Sequence, residues 1–551
     1  MALPSDTTGG TSARPHASAA RGGARVPRMP GALPLVGHMV GFARNPVALM
    51  RSVRERCGPV GELSLLGKRI VLLSGVEAQE VFCRAPDEQL SQKIAYRLMT
   101  PVFGEGVVFD APVERLNEQL RILMPALRDR NMRTYAGIFA EEVDSMTARW
   151  GDAGEIDVLE FTAELTTYTS SHCLLGAEFR HGMNEEFARV YGALEAGVNA
   201  IAYVNPYLPL PVFRRRDRAR ARLVEMITAN IERRRREGTT KDDALQVLMD
   251  SRYSDGTALT PNEITGILTA AMFAGHHTSS GTAAWTLIEL LRNPQWLARV
   301  REELDGLGTI DYQALREVPV LESVIKEVLR LHPPLVILMR GVVEDLHVAG
   351  TTVPAGRLVA ISPAVSHHIP ELFPDPEAFA PERYAPGREE DAETFGWIPF
   401  GGGLHRCSGS AFALMQLKAI TARLLTTWTF ELADRPESYE HDYTKMVVQP
   451  RQPARVRYRR RTDLRAEVQP NGAQASERDG LGEGVVRVRV DRGLCQGHAV
   501  CVSEAPDVFR LDAGARTVSL LRAEVPAAAR AKVDAAIKHC PTRALSIEEE
   551  H

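Results

Sequence analysis

The run Phe400-Gly-Gly-Gly-Leu-His-Arg-Cys-Ser-Gly409 leads at once into Ser-Ala-Phe-Ala-Leu and a helical pattern over about 408–428. It places Cys407 just before a helix N-terminus, where unpaired amides and the helix dipole favour a thiolate. Gly401, Gly402, Gly403 and Gly409 let the backbone crowd a flat ligand. A lone cysteine is more often a buried structural thiol. This glycine spacing instead reads as a loop built to offer one sulfur to a planar partner.

Working outward, Pro333 and Pro334 stop a long helical run, because proline removes a donor and cannot continue the helix. In that run Glu327 and Arg330 stand three apart on one face, where an ion pair can form. Phe379-Ala-Pro-Glu-Arg-Tyr384 then supplies Arg383 ahead of the cysteine loop, so a Glu–Arg–Arg lock on that loop is expected. Helical periodicity dominates 75–330, with strand-like runs near 60–65 and 69–74 and a long helix over 262–292. That helix carries Phe273-Ala-Gly-His-His-Thr-Ser-Ser280.

Together these residues closely resemble the cytochrome P450 superfamily over about residues 30–460. The resemblance implies a mainly α haem-thiolate monooxygenase fold with a minor β part, haem b as cofactor and Cys407 as its iron ligand. A thiolate there pushes electron density toward O–O cleavage. In the long helix Ala274, Gly275 and Thr278 match the family's oxygen site, with Thr278 hydrogen-bonding bound dioxygen. His277 stands where the family usually has an acid. An imidazole there can relay protons, since its unperturbed pKa is near neutrality.

Ala-Gly-His-His-Thr-Ser-Ser resembles the sterol 14α-demethylase family in particular. So does Tyr96-Arg-Leu-Met-Thr-Pro-Val-Phe-Gly-Glu-Gly-Val-Val-Phe-Asp110, and Leu331-His-Pro-Pro-Leu-Val-Ile-Leu-Met-Arg340 fits as well. The resemblance implies that Tyr96, Arg340 and His405 bind haem propionates, with Arg115 as a further candidate. Leu98, Phe103, Val107, Phe109, Met272, Ala274, His277, Leu338 and Met339 would line a sterol pocket. The family carries Phe or Leu at the place of Leu98, and the smaller side chain leaves room for a second methyl at sterol C4. The implied reaction takes the 14α-methyl of a lanosterol-like sterol to formate in three O2-dependent oxidations, leaving a C14–C15 double bond. Hydroxylation of another terpenoid, or a haem sensor without turnover, are the rival readings; the fused electron carrier and Thr278 speak against the sensor.

Residues 1–28, Ala-, Gly-, Ser- and Arg-rich with Asp6 alone acidic, read as a disordered tail rather than a transit peptide, for want of an apolar face. The large domain is expected over 29–461. Residues 451–465 hold seven arginines, read as a solvated last strand and the start of a linker over 462–484. A second module, 485–551, is expected to be α+β and ferredoxin-like. It holds Cys495-Gln-Gly-His498-Ala-Val-Cys501 and the remote Cys540-Pro541, which resembles a single-cluster bacterial ferredoxin in which His498 takes the middle cysteine's place. Three thiolates imply a [3Fe-4S] cluster on Cys495, Cys501 and Cys540. A [4Fe-4S] cluster with His498 as fourth ligand stays open, and zinc is the rival metal.

With 66 Lys plus Arg against 70 Asp plus Glu, the chain lacks the basic excess of a nucleic-acid binder. Seven cysteines are too few for a disulfide scaffold. No apolar run is long enough for a transmembrane segment. A cytoplasmic, soluble enzyme is therefore expected, with peripheral membrane contact for sterol access left open. No Gly-x-Gly-x-x-Gly follows a strand, so an external flavoprotein reductase using NAD(P)H is expected to feed the cluster. The 485–551 module is nearly neutral, with 10 Lys plus Arg and 9 Asp plus Glu, so tethering rather than charge is expected to bring it to the Cys407 face.

Overall fold

Thr260 starts the helix that organises the molecule. Its hydroxyl accepts from the Glu263 N–H at 3.2 Å, and the Glu263 carboxylate accepts from the Thr260 N–H at 2.8 Å. Pro261 takes the first helical position, where its missing N–H costs nothing. In this computed structural model the helix runs Pro261–Arg292. The structure describes residues 24–462 apart from 128, 183–184 and 242, and 486–548 apart from 513–516 and 527–528. The helix is apolar or small on nearly every face, and such a helix belongs inside a fold. Helices Val158–Leu175, Pro211–Glu237, Pro319–Leu331 and Ser410–Thr427 pack around it. Small residues set the approach of the first of these: Thr162 and Thr166 donate to the Ser280 and His276 carbonyls at 3.0 and 3.4 Å. Gly266 has a similar role, since a Cβ there would lie 2.1 Å from the Phe103 carbonyl oxygen. The 100–110 loop can therefore lie directly on the helix.

The β part is minor, as expected. A five-stranded sheet is ordered Val60–Leu65, Lys68–Leu73, Leu358–Ile361, Leu338–Val342, Leu90–Ser91, with only the second and third parallel. The arginine run does contain a strand, Arg455–Arg460, between Ala153–Asp157 and Trp428–Leu432. Alternation explains it: Val456 is buried, while Arg455, Arg457 and Arg459 point outward. Residues 24–28, assigned by composition to the tail, bridge instead to the body: the Glu62 N–H donates to the Pro27 carbonyl at 2.7 Å, and Ala24 bridges Thr351. The rest of the tail and the linker at 463–484 lie outside the described residues.

The second module centres on strand Val486–Val490, flanked antiparallel by Glu524–Val525 and Leu545–Glu548. A hairpin of Phe509–Leu511 and Val518–Leu520 and helices Val500–Glu504 and Arg530–Lys538 complete it. The short helix 500–504 was not legible, because five residues show no period. Val488, Phe509, Val518 and Val533 form its core. Among the described residues no helix is long and apolar enough to cross a membrane.

Candidate active site and cluster site

The cysteine loop closes on itself through the Cys407 N–H to the Phe400 carbonyl, 2.9 Å. Gly401 and Gly403 adopt φ of +68° and +61°, a region that side chains rarely enter. A Cβ on Gly403 would stand 2.1 Å from the Cys83 carbonyl oxygen. These glycines therefore seat the loop against helix Val76–Arg84 rather than only thinning it toward a ligand. Cys407 precedes helix Ser410–Thr427, as read from the sequence. The expected fall in its pKa is not what the bare thiol shows. Burial pushes it up, and the Gly409 N–H and the Arg406 charge pull down without winning. Metal coordination removes that proton outright.

The lock is built as expected, and more completely. Glu327 and Arg330, both fully buried, meet through two hydrogen bonds of 2.8 Å, and Arg383 reaches Glu327 at 3.3 Å. The Tyr384 hydroxyl and the Ala380 N–H also donate to Glu327, at 2.9 and 2.8 Å. Arg330 goes on to the carbonyls of His367, Pro376 and Ala378 at 2.9, 2.6 and 2.9 Å. His367 carries the lock to the cysteine loop: its Nε2 accepts from the Ile398 N–H at 2.9 Å. Burial lowers the His367 pKa to about 3, so the ring is neutral and can accept. Burial opposes ionisation of Glu327, but Arg330, the Ala380 N–H and the Tyr384 hydroxyl hold its pKa below the ordinary value. A group lowered on folding adds stability above its unfolded pKa of about 4.3, and that contribution fades as pH falls through the folded value. Glu327→Ala strands the buried Arg330 guanidinium, while Arg383 keeps Glu390 at 2.9 Å. We expect it to cost about 3–5 kcal/mol, read by denaturant unfolding; a loss under 1 kcal/mol would contradict the lock.

On the long helix, Ala274 is exposed although it lies mid-helix among buried residues, and Cys407 is accessible although burial raises its pKa. Accessible surface at both residues, inside the helical body, suits a prosthetic group held there. A second observation suits the same group. Arg340 is 3% exposed, yet among the described residues it makes no ion pair and donates to the Phe82 and Ala85 carbonyls at 2.7 and 3.4 Å. A buried cation without a partnering carboxylate is costly, so this position suits an incoming carboxylate. Tyr96 stands in its field, with its hydroxyl accepting from the Met339 N–H at 3.3 Å. His405 Nε2 lies 3.0 Å from Asp87, which also acts on Arg340. Asp87 was missed by the sequence reading.

Arg115 is not brought to this group. Its guanidinium lies 3.5 Å over the Tyr253 ring and pairs with Glu118 and Asp255 at 3.3 and 3.4 Å. Thr278 donates to its own helix at the Ala274 carbonyl, 2.5 Å. His277 Nε2 and His276 Nδ1 both face Glu195, at 2.8 and 3.1 Å. Burial alone would raise the Glu195 pKa, but the two imidazoles bring it down to about 2. Glu195, on helix Glu185–Ala196, is a second partner that the sequence reading missed.

The apolar candidates divide. Phe103, Val107 and Met272 share one core with Phe109 and the missed Phe273. Phe103 makes an edge contact with Phe273 at 5.8 Å, and Tyr96 stacks on Phe109 at 4.8 Å. Leu338 touches the cysteine loop beside Gly401, and Met339 belongs to the sheet's core. Leu98 is apart: it packs with Ala202 and Phe213 in a separate cluster.

In the second module Cys495, Cys501 and Cys540 come together, each within the field of another, and burial pushes Cys501 up to about 12. The Cys495 sulfur accepts from the Val518 N–H at 3.4 Å. Gly497 and Ala499 are both left-handed, at +69° and +62°, which turns the loop around His498. His498 itself is buried. Three soft thiolates on a folded-in loop suit an iron–sulfur cluster.

The two modules touch beside Cys407. Arg406 donates to the Pro541 carbonyl and the Gln496 amide donates to the Arg406 carbonyl, each at 2.7 Å. Leu494 and Ala544 join a core cluster with Phe82, Cys83 and Phe395. Around them Lys538 pairs with Glu317 at 2.8 Å, and Arg316 with Glu504 and Arg543 with Asp391 also pair. The near-zero net charge of the module thus hides local charge complementarity, and tethering is not the only attraction.

A profile described as Cytochrome P450 matches residues 27–458. The chain belongs to the cytochrome P450 family. A profile described as a 4Fe-4S single cluster domain matches residues 488–547, so this P450 carries a fused iron–sulfur module. The P450 part is 50% identical over 446 residues to a sterol 14α-demethylase of Mycolicibacterium vanbaalenii, covering 79% of this chain and 98% of that protein. It is 51% identical over 449 residues to one of Mycobacterium tuberculosis, covering 80% and 99%. It is 36% identical over 439 residues to the lanosterol 14-alpha demethylase of Bos taurus, covering 78% and 87%. Among solved structures, the retinoic acid-bound cyanobacterial CYP120A1 aligns with a TM-score of 0.72 at 25% identity, covering 80% of this chain and 99% of that one.

Proposed function

We infer that this P450 is a sterol 14α-demethylase fed by its own iron–sulfur module. The observation that carries the reading is the roughly 50% identity to sterol 14α-demethylases over almost their whole length. When bound, haem supplies the activation of O2 that an unactivated methyl group demands, and a cysteine thiolate strengthens O–O cleavage. Cys407 holds its iron. Arg340, Tyr96 and His405 receive its carboxylates by charge-assisted hydrogen bonds. Phe103, Val107, Phe109, Met272, Ala274, Leu338 and Met339 hold an apolar polycycle and exclude water. His277, oriented by the Glu195 carboxylate, moves protons inward from solvent, and Thr278 offers a hydroxyl by turning from the Ala274 carbonyl. Arg115 is better read as a structural cation, because it is already paired elsewhere.

The cluster is read as [3Fe-4S], which Cys495, Cys501 and Cys540 would hold, with His498 on the same loop as the first two. Electron paramagnetic resonance of the isolated oxidised protein separates this from a histidine-ligated [4Fe-4S] cluster. Electrons come from NAD(P)H through a separate flavoprotein. The large domain is proposed over 29–461 and the small one over 485–551. Incubation of the loaded protein with a lanosterol-type panel, a surrogate reductase and NADPH tests the activity. The expected products are the C14–C15 unsaturated sterol and formate, and hydroxylated triterpenes alone would contradict it.

Leu98→Phe is expected to shift preference from C4-dimethyl toward C4-monomethyl sterols, within the roughly 10–200-fold that one methyl can command. The Leu98 cluster with Ala202 and Phe213 gives the competing result. If Leu98 is plain core, the variant loses about 1–3 kcal/mol of stability by overpacking and leaves the sterol ratio unchanged.

A further inference from the structure

Adjacent residues on an α-helix point about 100° apart, and their side chains do not ordinarily face each other. His276 and His277 nevertheless converge. Their rings stack at 4.3 Å with 27° between the planes. His276 Nδ1 and His277 Nε2 both turn to one carboxylate oxygen of Glu195, at 3.1 and 2.8 Å. That carboxylate comes from a different helix, Glu185–Ala196. Among the described residues it pairs with no lysine or arginine, only with the two imidazoles. The two nitrogens and the oxygen all lie within 4.8 Å of one another.

Beside them stands a hydroxyl with nothing to bond. Tyr191 lies one turn before Glu195 on the same helix, is 5% exposed, and holds its ring 5.9 Å from that of His276. Neither its hydroxyl nor His276 Nε2 has a hydrogen-bond partner among the described residues. A buried hydroxyl left in that state is costly. The Glu195 charge reaches it, adding to burial in raising the Tyr191 pKa. A ligand on Glu195 that carries a water molecule would give the hydroxyl its partner.

We propose that Glu195, His276 and His277 form a site for a divalent transition metal, zinc foremost, with Tyr191 hydrogen-bonded to a water on the metal, and that zinc bound there stops proton delivery. The last step rests on the reading that His277 carries protons inward. Two imidazole nitrogens, a carboxylate oxygen and a water are a set that zinc takes up, whereas magnesium and calcium prefer oxygen alone. Tetrahedral bonds of about 2.0–2.2 Å put ligand atoms about 3.3–3.5 Å apart, so the separations of 2.8 and 3.1 Å must open by roughly half an ångström. The side chains of Glu195 and His277 are 23% and 32% exposed, which leaves an ion a way in. On binding, each nitrogen gives its lone pair to the metal, and the proton it shared with Glu195 moves to the other nitrogen of the same ring. His277 then has no nitrogen left to accept a proton.

The loaded full-length protein, free of any affinity tag, is titrated with zinc chloride in a calorimeter. Its iron content is measured alongside, so that the cluster cysteines are known to be occupied. We expect one zinc per chain. Tyr191→Phe keeps the ring and removes a hydroxyl that bonds nothing else, so the fold is not at stake. It should weaken zinc binding by about 10–100-fold, as loss of an outer partner does, and Glu195→Gln should weaken it at least as much. In turnover with the surrogate reductase, zinc should raise the hydrogen peroxide released per NADPH, and magnesium at the same concentration should not. His276→Asn keeps His277 beside Glu195 and should lose the zinc effect. No zinc uptake by the parent, or equal affinity in Glu195→Gln, would overturn the site. Equal affinity in Tyr191→Phe would remove that hydroxyl from it. Zinc uptake without a rise in peroxide would overturn the block. The calorimetric result does not depend on the proton route, so a site that binds zinc stands even if His277→Ala couples as well as the parent, and only the proton reading then falls.

Discussion

Cys407→Ser is expected to lose the thiolate-type absorbance of the reduced carbon monoxide complex and to lose turnover entirely. A serine hydroxyl is not ionised at neutral pH and cannot donate the charge that a thiolate gives to iron. The structure supplies a reason beyond ligand chemistry. The loop is fixed by its own chain, through left-handed glycines against Cys83 and the Cys407 N–H to Phe400. Serine can occupy that loop without moving it, so the variant tests the sulfur and not the fold. Retention of the parent spectrum would remove Cys407 from its role.

His277→Ala is expected to slow product formation by about 10²–10⁴-fold, the usual contribution of a positioned acid–base group, while haem content stays as in the parent. Glu195 gives the prediction a second reading. It sits between His276 and His277, with its pKa brought down to about 2, so it holds a negative charge through the whole working pH range. Removing His277 leaves that carboxylate with His276 alone. The sign to look for is more hydrogen peroxide released per NADPH consumed. Equal coupling in variant and parent would mean that protons take another route.

The site was legible wherever chemistry is written as residue types at short spacing. The glycine–cysteine loop, the Glu327–Arg330 pair and the Cys495–His498–Cys501 run each lie within one turn or one loop, so a few neighbours define them. The missed residues share a different trait. Glu195, Asp87, His367 and Tyr384 act from other segments, and a lone acid or histidine on an amphipathic stretch has no signature of its own. Arg115 failed for the converse reason. Its competitors Asp255 and Tyr253 are remote in sequence, and only folding reveals that they claim the guanidinium first. The charge pairs between the modules were hidden by arithmetic, because a net charge near zero sums over faces that differ. Strand 455–460 was readable through its alternation, whereas helix 500–504 is too short to show any period.

The contact at Arg406 has a consequence for inheritance. The P450 side offers a backbone carbonyl to Gln496, and the small module offers a backbone carbonyl to Arg406. Each bond therefore depends on one side chain only. Both halves lie in one reading frame, so a change at Arg406 or Gln496 and its compensation elsewhere in the contact descend together. Two separate genes would have to match such changes across a population in which reassortment can part them. This chain can let its contact drift toward private solutions, and a carrier borrowed from a close relative should suit it less well with each generation of divergence.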